Sequence, residues 1–393
     1  MRGRVRPMNS FNPMRLNEAR LYRKMTIEEL ANYVGVKKQA ISQFENGKSS
    51  PEFNTLQSIS KTLNFPIRFF IENEDKDTMM GNTYFRAPFS SNKKDLNSQR
   101  IKAKYVAYIQ NCLSEYVDFP FLNLPHFDEI DNLEYIANQT RDFWGLGREP
   151  IPDMVAVLER NGIIVSEFST EGKTIDAFYQ YGEIFDKEYY CVVLGTDKLT
   201  FVRRQFNAAH ELAHILLHER NNDIDELDRV EFRRREDEAN KFASAFLLPK
   251  DSFADDILPY CNKLNYYVEL KRKWKVSISA MVIRAFDLEI ITANQYQYLM
   301  RQISRNGWRT QEPLDEYIVV KRPKALKQAI NMLLLNDCLT PKQIFELFSK
   351  YKTSLPKDVI DEVLNLDPDT LPDEFDDNSD SKIVTLFPRS NLG

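Results

Sequence analysis

No stretch of this sequence approaches the roughly 20 consecutive apolar residues that a membrane-spanning helix needs. The opening Met1-Arg-Gly-Arg-Val-Arg-Pro also lacks the apolar core of a secretory signal. These two absences set the expectation of a cytoplasmic protein with no membrane partner. Cysteine is sparse and dispersed: Cys112, Cys191, Cys261 and Cys338 form no Cys-x-x-Cys pair, which fits a reducing compartment. Histidine is equally scarce, with four in 393 residues, yet three of the four fall between positions 206 and 218. A net charge of −5 gives the whole chain no affinity for nucleic acid. That average conceals a gradient, because residues 1–72 carry twelve Lys/Arg against six Glu and no Asp, leaving +6 at the front and −11 in the remainder. Such segregation points to a nucleic-acid module at the front. The length predicts two or three domains.

The concentrated histidines lie in Phe206-Asn-Ala-Ala-His-Glu-Leu-Ala-His-Ile-Leu-Leu-His218, a complete His-Glu-x-x-His on an apolar helical pattern. Four residues apart on a helix, His210 and His214 stack one turn above each other and can grip one tetrahedral ion. Glu211 then sits where a carboxylate can take a proton from a water and pass it to a leaving amine, as peptide hydrolysis requires. The longer signature with a third histidine ligand is excluded, since it needs glycine at 217 and histidine at 220 where this chain has Leu217 and Arg220. His218 stands eight residues from His210, roughly 12 Å along a straight helix, and reads as a helix-end or surface residue. The third ligand must come from a second helix around Arg235 to Ala243, where Glu236 is favoured over Glu238. Two residues apart on a helix, those carboxylates point about 200° from each other, so only one faces the ion.

Arg204, Phe206, Ala209 to Leu212, His214 and Leu216 to His218, followed by Glu236, Glu238 to Asn240, Phe242, Ala243 and Phe246 to Pro249, resemble the ImmA/IrrE family of zinc peptidases, which cleave DNA-binding repressors. The resemblance implies that His210, His214 and Glu236 bind Zn2+, that Glu211 is the catalytic acid/base, and that Asn240 steadies a ligand histidine. One departure is Ala213, where the family usually has glycine; alanine favours helix by about 1 kcal/mol.

The front module has its own signature. Thr26-Ile-Glu-Glu29 starts a helix that ends at Gly35, and a third helix runs from about Lys37 to Gly47, the spacing of a helix-turn-helix. Glu29 to Ala31, Val34 to Val36, Ile41, Ser42, Phe44 to Gly47, Pro51, Leu56 and Ile59 resemble the XRE family of phage-repressor DNA-binding domains. With Val36, Ile41 and Phe44 inward, Lys38, Gln39, Ser42 and Gln43 form the outer face of the third helix, the candidate surface for reading base edges of an operator.

The expected plan is α+β and mostly helical. A five-helix XRE-type domain spans 1–72, a linker with an extended piece near Thr83 spans 73–97, and a helical connector spans 98–150. A zincin-like peptidase domain with a small sheet and the His-Glu-x-x-His helix spans 151–250. A helical region follows over 251–366, and an acidic, disordered tail over 367–393, where seven Asp/Glu face one Lys and one Arg. Tyr179 and Tyr181, on a strand just before the metal helix, are candidates for steadying the oxyanion, and that strand is also where an extended substrate could pair. The functional expectation is a DNA-binding transcription regulator that cleaves a helix-turn-helix repressor in trans or within its own linker, with single-stranded DNA as one candidate signal. A homodimer on a palindromic double-stranded operator belongs to that expectation. Its rivals are a non-proteolytic regulator using the zinc fold as sensor or scaffold, and an antitoxin or phage-defence regulator.

Overall fold

Local signals account for the front module. In the computed structural model, which describes residues 11–72, 78–85, 93–127, 132–169, 176–184, 187–197, 200–218 and 228–372, Pro13–Tyr22 (α1) starts on the Asn12 side-chain cap. Ile27–Val34 (α2) opens on a full capping box between Thr26 and Glu29 and stops at Gly35, whose φ of 77° is the left-handed conformation that glycine adopts freely. Lys38–Glu45 (α3) and Phe53–Leu63 (α4) follow, and the fifth helix is a short 3-10 turn, Ile67–Ile71. Leu16, Leu30, Ile41, Leu56, Ile59 and Phe69 are buried between them.

The stretch expected as linker, 73–97, holds the extended piece expected near Thr83, as part of a longer strand, and gives its last residues to a helix. Thr78–Phe85 is a strand (β1), and Lys93–Leu113 (α5) begins before residue 97. The rest of that stretch lies outside the described residues. β1 joins Ile164–Phe168 (β2), Ala177–Ile184 (β3) and Lys187–Gly195 (β4) in a four-stranded sheet of order β1-β3-β4-β2. β3 runs antiparallel to both β1 and β4, and β2 runs parallel to β4.

Because side chains alternate along a strand, β2, β3 and β4 feed two different cores. Ile164, Phe178, Cys191 and Val193 pack toward α5 and the front module, together with the C-terminal helices Ala325–Leu335 (α14), Pro341–Lys350 (α15) and Lys357–Leu364 (α16). Val165, Tyr179, Tyr190 and Val192 pack on the opposite face, beneath Met154–Arg160 (α7) and Phe201–Leu217 (α8). That second core also takes in Leu133–Phe143 (α6), Arg229–Leu247 (α9), Lys250–Ile257 (α10), Leu264–Trp274 (α11), Ile278–Asp287 (α12) and Ala293–Arg305 (α13). Ser277 and Thr292 cap α12 and α13 as their sequence suggests. The region 251–366 therefore divides between the two cores, and Trp274 to Arg284 is a packing unit, with Trp274, Ile278 and Met281 buried.

The front module is joined to the rest of the chain by buried charge. Glu18 on α1 accepts from Arg15 at 3.1 Å and pairs with Lys104 of α5, all three being buried. Arg15 also donates to the Lys352 carbonyl at 2.8 Å, and the Ser98 hydroxyl to the Tyr22 carbonyl at 2.9 Å. The Tyr22 hydroxyl and Lys102 both bond Glu362 of α16, and Glu72 accepts from the Ser354 amide at 3.0 Å. Of the acidic tail, residues 367–372 are described; Leu371 is buried and Asp367 pairs with Lys327 at 2.9 Å. Residues 373–393 lie outside the described residues. Among the described residues, no helix is long and apolar enough to cross a membrane.

Candidate metal centre and DNA-facing surface

Thr200 caps α8, and the helix is buried almost throughout, resting on β3 and β4. α9 packs along its other side, capped by Asp228. This pair of helices brings the predicted ligands together. The Nε2 atoms of His210 and His214 stand 3.0 Å apart, and the Glu236 carboxylate lies 3.6 Å from the first and 3.3 Å from the second. The three ligand atoms all fall within 4.8 Å of one another. Two nitrogens bound to one tetrahedral zinc at about 2.05 Å stand about 3.3 Å apart, so this donor set suits that ion. Glu211 is wholly buried beside them. Burial alone would raise the Glu236 pKa, but its bonds to His210 and His214 outweigh that and hold the carboxyl well below its ordinary value.

The backing of the two imidazoles favours one tautomer for each. His210 Nδ1 is 3.1 Å from the Asn240 side-chain oxygen, an acceptor, so Nδ1 carries the proton and Nε2 keeps its lone pair. His214 Nδ1 is 2.9 Å from His218 Nδ1, and His218 Nε2 is 3.2 Å from Glu238. Burial pushes the His218 pKa down to about 4, against the pull of Glu238, so His218 is neutral at pH 7. Its single proton goes to the carboxylate side, its Nδ1 accepts from His214, and His214 Nε2 is also a lone pair. Two lone pairs facing each other across 3.0 Å repel unless a shared proton or a cation lies between them, and a metal ion would meet that need.

His218 does end α8, as its C-cap, but it is no surface residue: it is 8 % exposed and sits behind His214. The signal was present in the sequence, because His218 follows His214 at the same four-residue step that relates His214 to His210. What no spacing could reveal is the partner, Glu238, which turns away from the triad and bonds His218 and Arg234. Tyr179 stacks on His214 with ring centroids 6.4 Å apart. Tyr181 has its hydroxyl between Glu183 and Glu188, 3.0 Å from each, and burial with those acceptors pushes its pKa up. In this arrangement the Tyr181 hydroxyl is turned to those two carboxylates. Beyond Asn240, a cavity of about 600 Å³ opens between α8, α9 and α12, lined among others by Phe206, Asn207, Lys241, Ile283 and Trp308.

On the front module, Lys38, Gln39 and Gln43 are exposed along α3, and Ser42 is half-buried. Lys38 reaches Glu28 at 3.1 Å across open surface, a pair too solvated to hold it against a phosphate. Exposed Lys37 and Lys48 flank the same helix, two basic residues that the outward-face reading left out.

Residues 16–70 match the family described as Helix-turn-helix, and residues 158–286 match the peptidase family described as IrrE N-terminal-like domain. The chain carries in one sequence a segment that matches each of these two families. The peptidase match takes in α8 and α9, and with them every residue of the triad and its backing. No curated protein matches the chain. The helix-turn-helix match lies in the core on the α5 face of the sheet, together with one face of the strands of the peptidase match, whereas α8 and α9 of that match pack in the core on the other face.

Proposed function

We propose that this helix-turn-helix and IrrE-type fusion is a DNA-binding regulator that hydrolyses a peptide bond in a second protein, with a helix-turn-helix repressor as the substrate. The observation that carries this reading is the convergence of His210, His214 and Glu236 with the buried Glu211 next to them. When bound, zinc polarises the scissile carbonyl and makes the attacking water more acidic. His210, His214 and Glu236 hold it, and Asn240, His218 and Glu238 fix the two imidazoles in the tautomers that ligation needs. Glu211 takes the proton of the attacking water and gives it to the leaving amide nitrogen as the C–N bond breaks. The cavity beyond Asn240 receives a substrate side chain.

The buried joint at Glu18, Lys104 and Glu72 favours a substrate in trans over the chain's own segment 73–97. A cut in that segment leaves α1 still bound to α5 and α16, so it would not free the DNA-binding module.

Metal content tests the ligand roles. Glu236→Ala is expected to purify without zinc, whereas Glu238→Ala, which removes only the support behind His218, should weaken zinc binding by about 10- to 100-fold. Equal zinc affinity in the two variants would reject the assignment. DNA binding tests the other half, and here the full chain is the material to use, because the module's α1 face is buried against α5. Gln39→Ala should reduce discrimination between operator and mismatched duplex by about 1–3 kcal/mol. Lys38→Ala should weaken all duplexes alike and lower the salt slope by about 1. If Gln39→Ala lowers operator and random-duplex affinity equally, Gln39 does not read a base.

A further inference from the structure

The metal triad lies on the β3 side of α8. α7 packs against α8 and β2, and the ring of Tyr179 on β3 stacks on His214. A peptide reaching the triad in extended form would therefore run beside β3, and strand addition to a sheet edge is the usual way to hold such a peptide. β4 offers no edge, since β3 and β2 flank it. The outer edge of β3 is taken by β1, which pairs antiparallel with it from Thr78 opposite Ile184 to Phe85 opposite Phe178. Tyr84 lies opposite Tyr179, so the β1 backbone passes one strand spacing, about 4.8 Å, from the residue that touches a ligand histidine.

We propose that the β3 edge is where an extended substrate strand pairs beside the metal centre, and that β1 of the same chain occupies it as a displaceable blocking strand. The proposal rests on the peptidase reading and adds to it both a substrate conformation and a means of restraint. Displacement is feasible for two reasons. The register slips between Met80 and Thr83, so that Gly81 and Asn82 both stand opposite Tyr181, and a bulge with glycine in it weakens the ladder at its middle. The front module is also held to the body by the contacts of Glu18, Tyr22 and Glu72, which do not involve β1, so the strand can leave without dismantling the joint. Tethered at both ends, β1 competes with a free peptide at an effective concentration of roughly millimolar. Only a substrate of matching strand character, or one delivered at high local concentration, will replace it.

The test uses the full chain carrying Glu211→Gln, so that bound peptide stays intact, with residues 78–85 either native or replaced by an equal length of Gly and Ser. A dye-labelled synthetic peptide spanning residues 76–87 is titrated into each and followed by fluorescence anisotropy, and hydrogen exchange locates the bound peptide. The replaced chain should bind on the order of tenfold more tightly or better, with new protection in the β3 amides; equal affinity, or protection elsewhere, overturns the proposal. A second variant guards against misfolding. Met79 and Glu183 are opposed Cα partners, and antiparallel partners lie within disulfide reach, so Met79→Cys with Glu183→Cys locks β1 in place. The lock should slow exchange of the β3 amides and, in a Glu211 background, suppress cleavage of a test peptide until a reductant is added. Unchanged β3 exchange would make β1 a permanent strand and end the proposal. Cutting within 78–85 in the unmodified chain, lost in Glu211→Gln, would make β1 a substrate and overturn the blocking role. If no form cleaves anything, the peptidase reading fails, while peptide binding and exchange still decide the strand's role.

Discussion

Glu211→Gln protein is expected to bind zinc as the unmodified chain does and to cleave its protein substrate about 10²- to 10⁴-fold more slowly. The two effects separate because the residue has one role and its neighbours another. Glu211 is buried on α8 beside His210, whereas the triad and its backing belong to His210, His214, Glu236, Asn240, His218 and Glu238. Glutamine has nearly the shape of glutamate but cannot accept the water's proton, so the metal stays and the base is gone. Single-turnover cleavage, followed by mass spectrometry of the products, measures the loss, and metal analysis of the same sample checks the ion. A variant that cuts at the original rate would move proton transfer to another group. A chain that never cuts, with zinc bound and β1 replaced, would favour a regulator that uses the zinc fold as sensor or scaffold.

Lys104→Ala should destabilise the joint between the front module and the body by about 3–5 kcal/mol, the usual cost of leaving a buried charge without its partner. Glu18 would keep only Arg15, which also serves the Lys352 carbonyl. Replacing both members, Glu18→Leu with Lys104→Met, should recover part of the loss, since the apolar pair needs no charge compensation and only Arg15, which keeps its bond to the Lys352 carbonyl, loses a carboxylate. Denaturant unfolding, monitored alongside operator binding, distinguishes the two variants; an equally unstable double variant would mean that packing, and not the charge pair, carries the joint. The same pair predicts a pH dependence. Burial would raise the Glu18 pKa, but the charges of Lys104 and Arg15 outweigh it and the carboxyl is held below its ordinary value. A carboxylate with a depressed folded pKa stabilises fully above its unfolded value, about 4.3, and that contribution fades as pH falls through the folded one. The joint should therefore be indifferent to pH near neutrality and loosen in acid.

What could be read in the sequence follows the range of the interactions involved. The capping box at Thr26, the stop at Gly35 and the caps at Ser277 and Thr292 act within a few residues, and each sits where its spacing predicts. The four-residue step from His210 to His214 is likewise a property of one helix, and it places both imidazoles on one side of α8. The sequence favoured Glu236 over Glu238 but could not fix which of two opposed faces of α9 turns to the two histidines. Which face meets α8 depends on the packing of the two helices, and the contact with His214 decides it.

Three things belong to the tertiary structure alone. His218 becomes buried support for His214 because α9 brings Glu238 against it from twenty residues away in sequence. Thr78–Phe85 shows along the chain only as an extended piece near Thr83, and its place in a sheet is set by the backbone of its partner, β3, about a hundred residues on. The front module reads as a self-contained helix-turn-helix, yet Arg15 and Glu18 on α1 are buried against Lys104 and Lys352 of distant segments. Charged residues on an amphipathic helix are ordinarily solvated, and nothing in their local pattern distinguishes a charge that faces water from one that meets its counter-charge across an interface. The sequence determined the helices, their ends and the chemistry carried on each. Which surfaces came together, and so which charges and edges were covered, was decided by long-range packing on the two faces of one sheet.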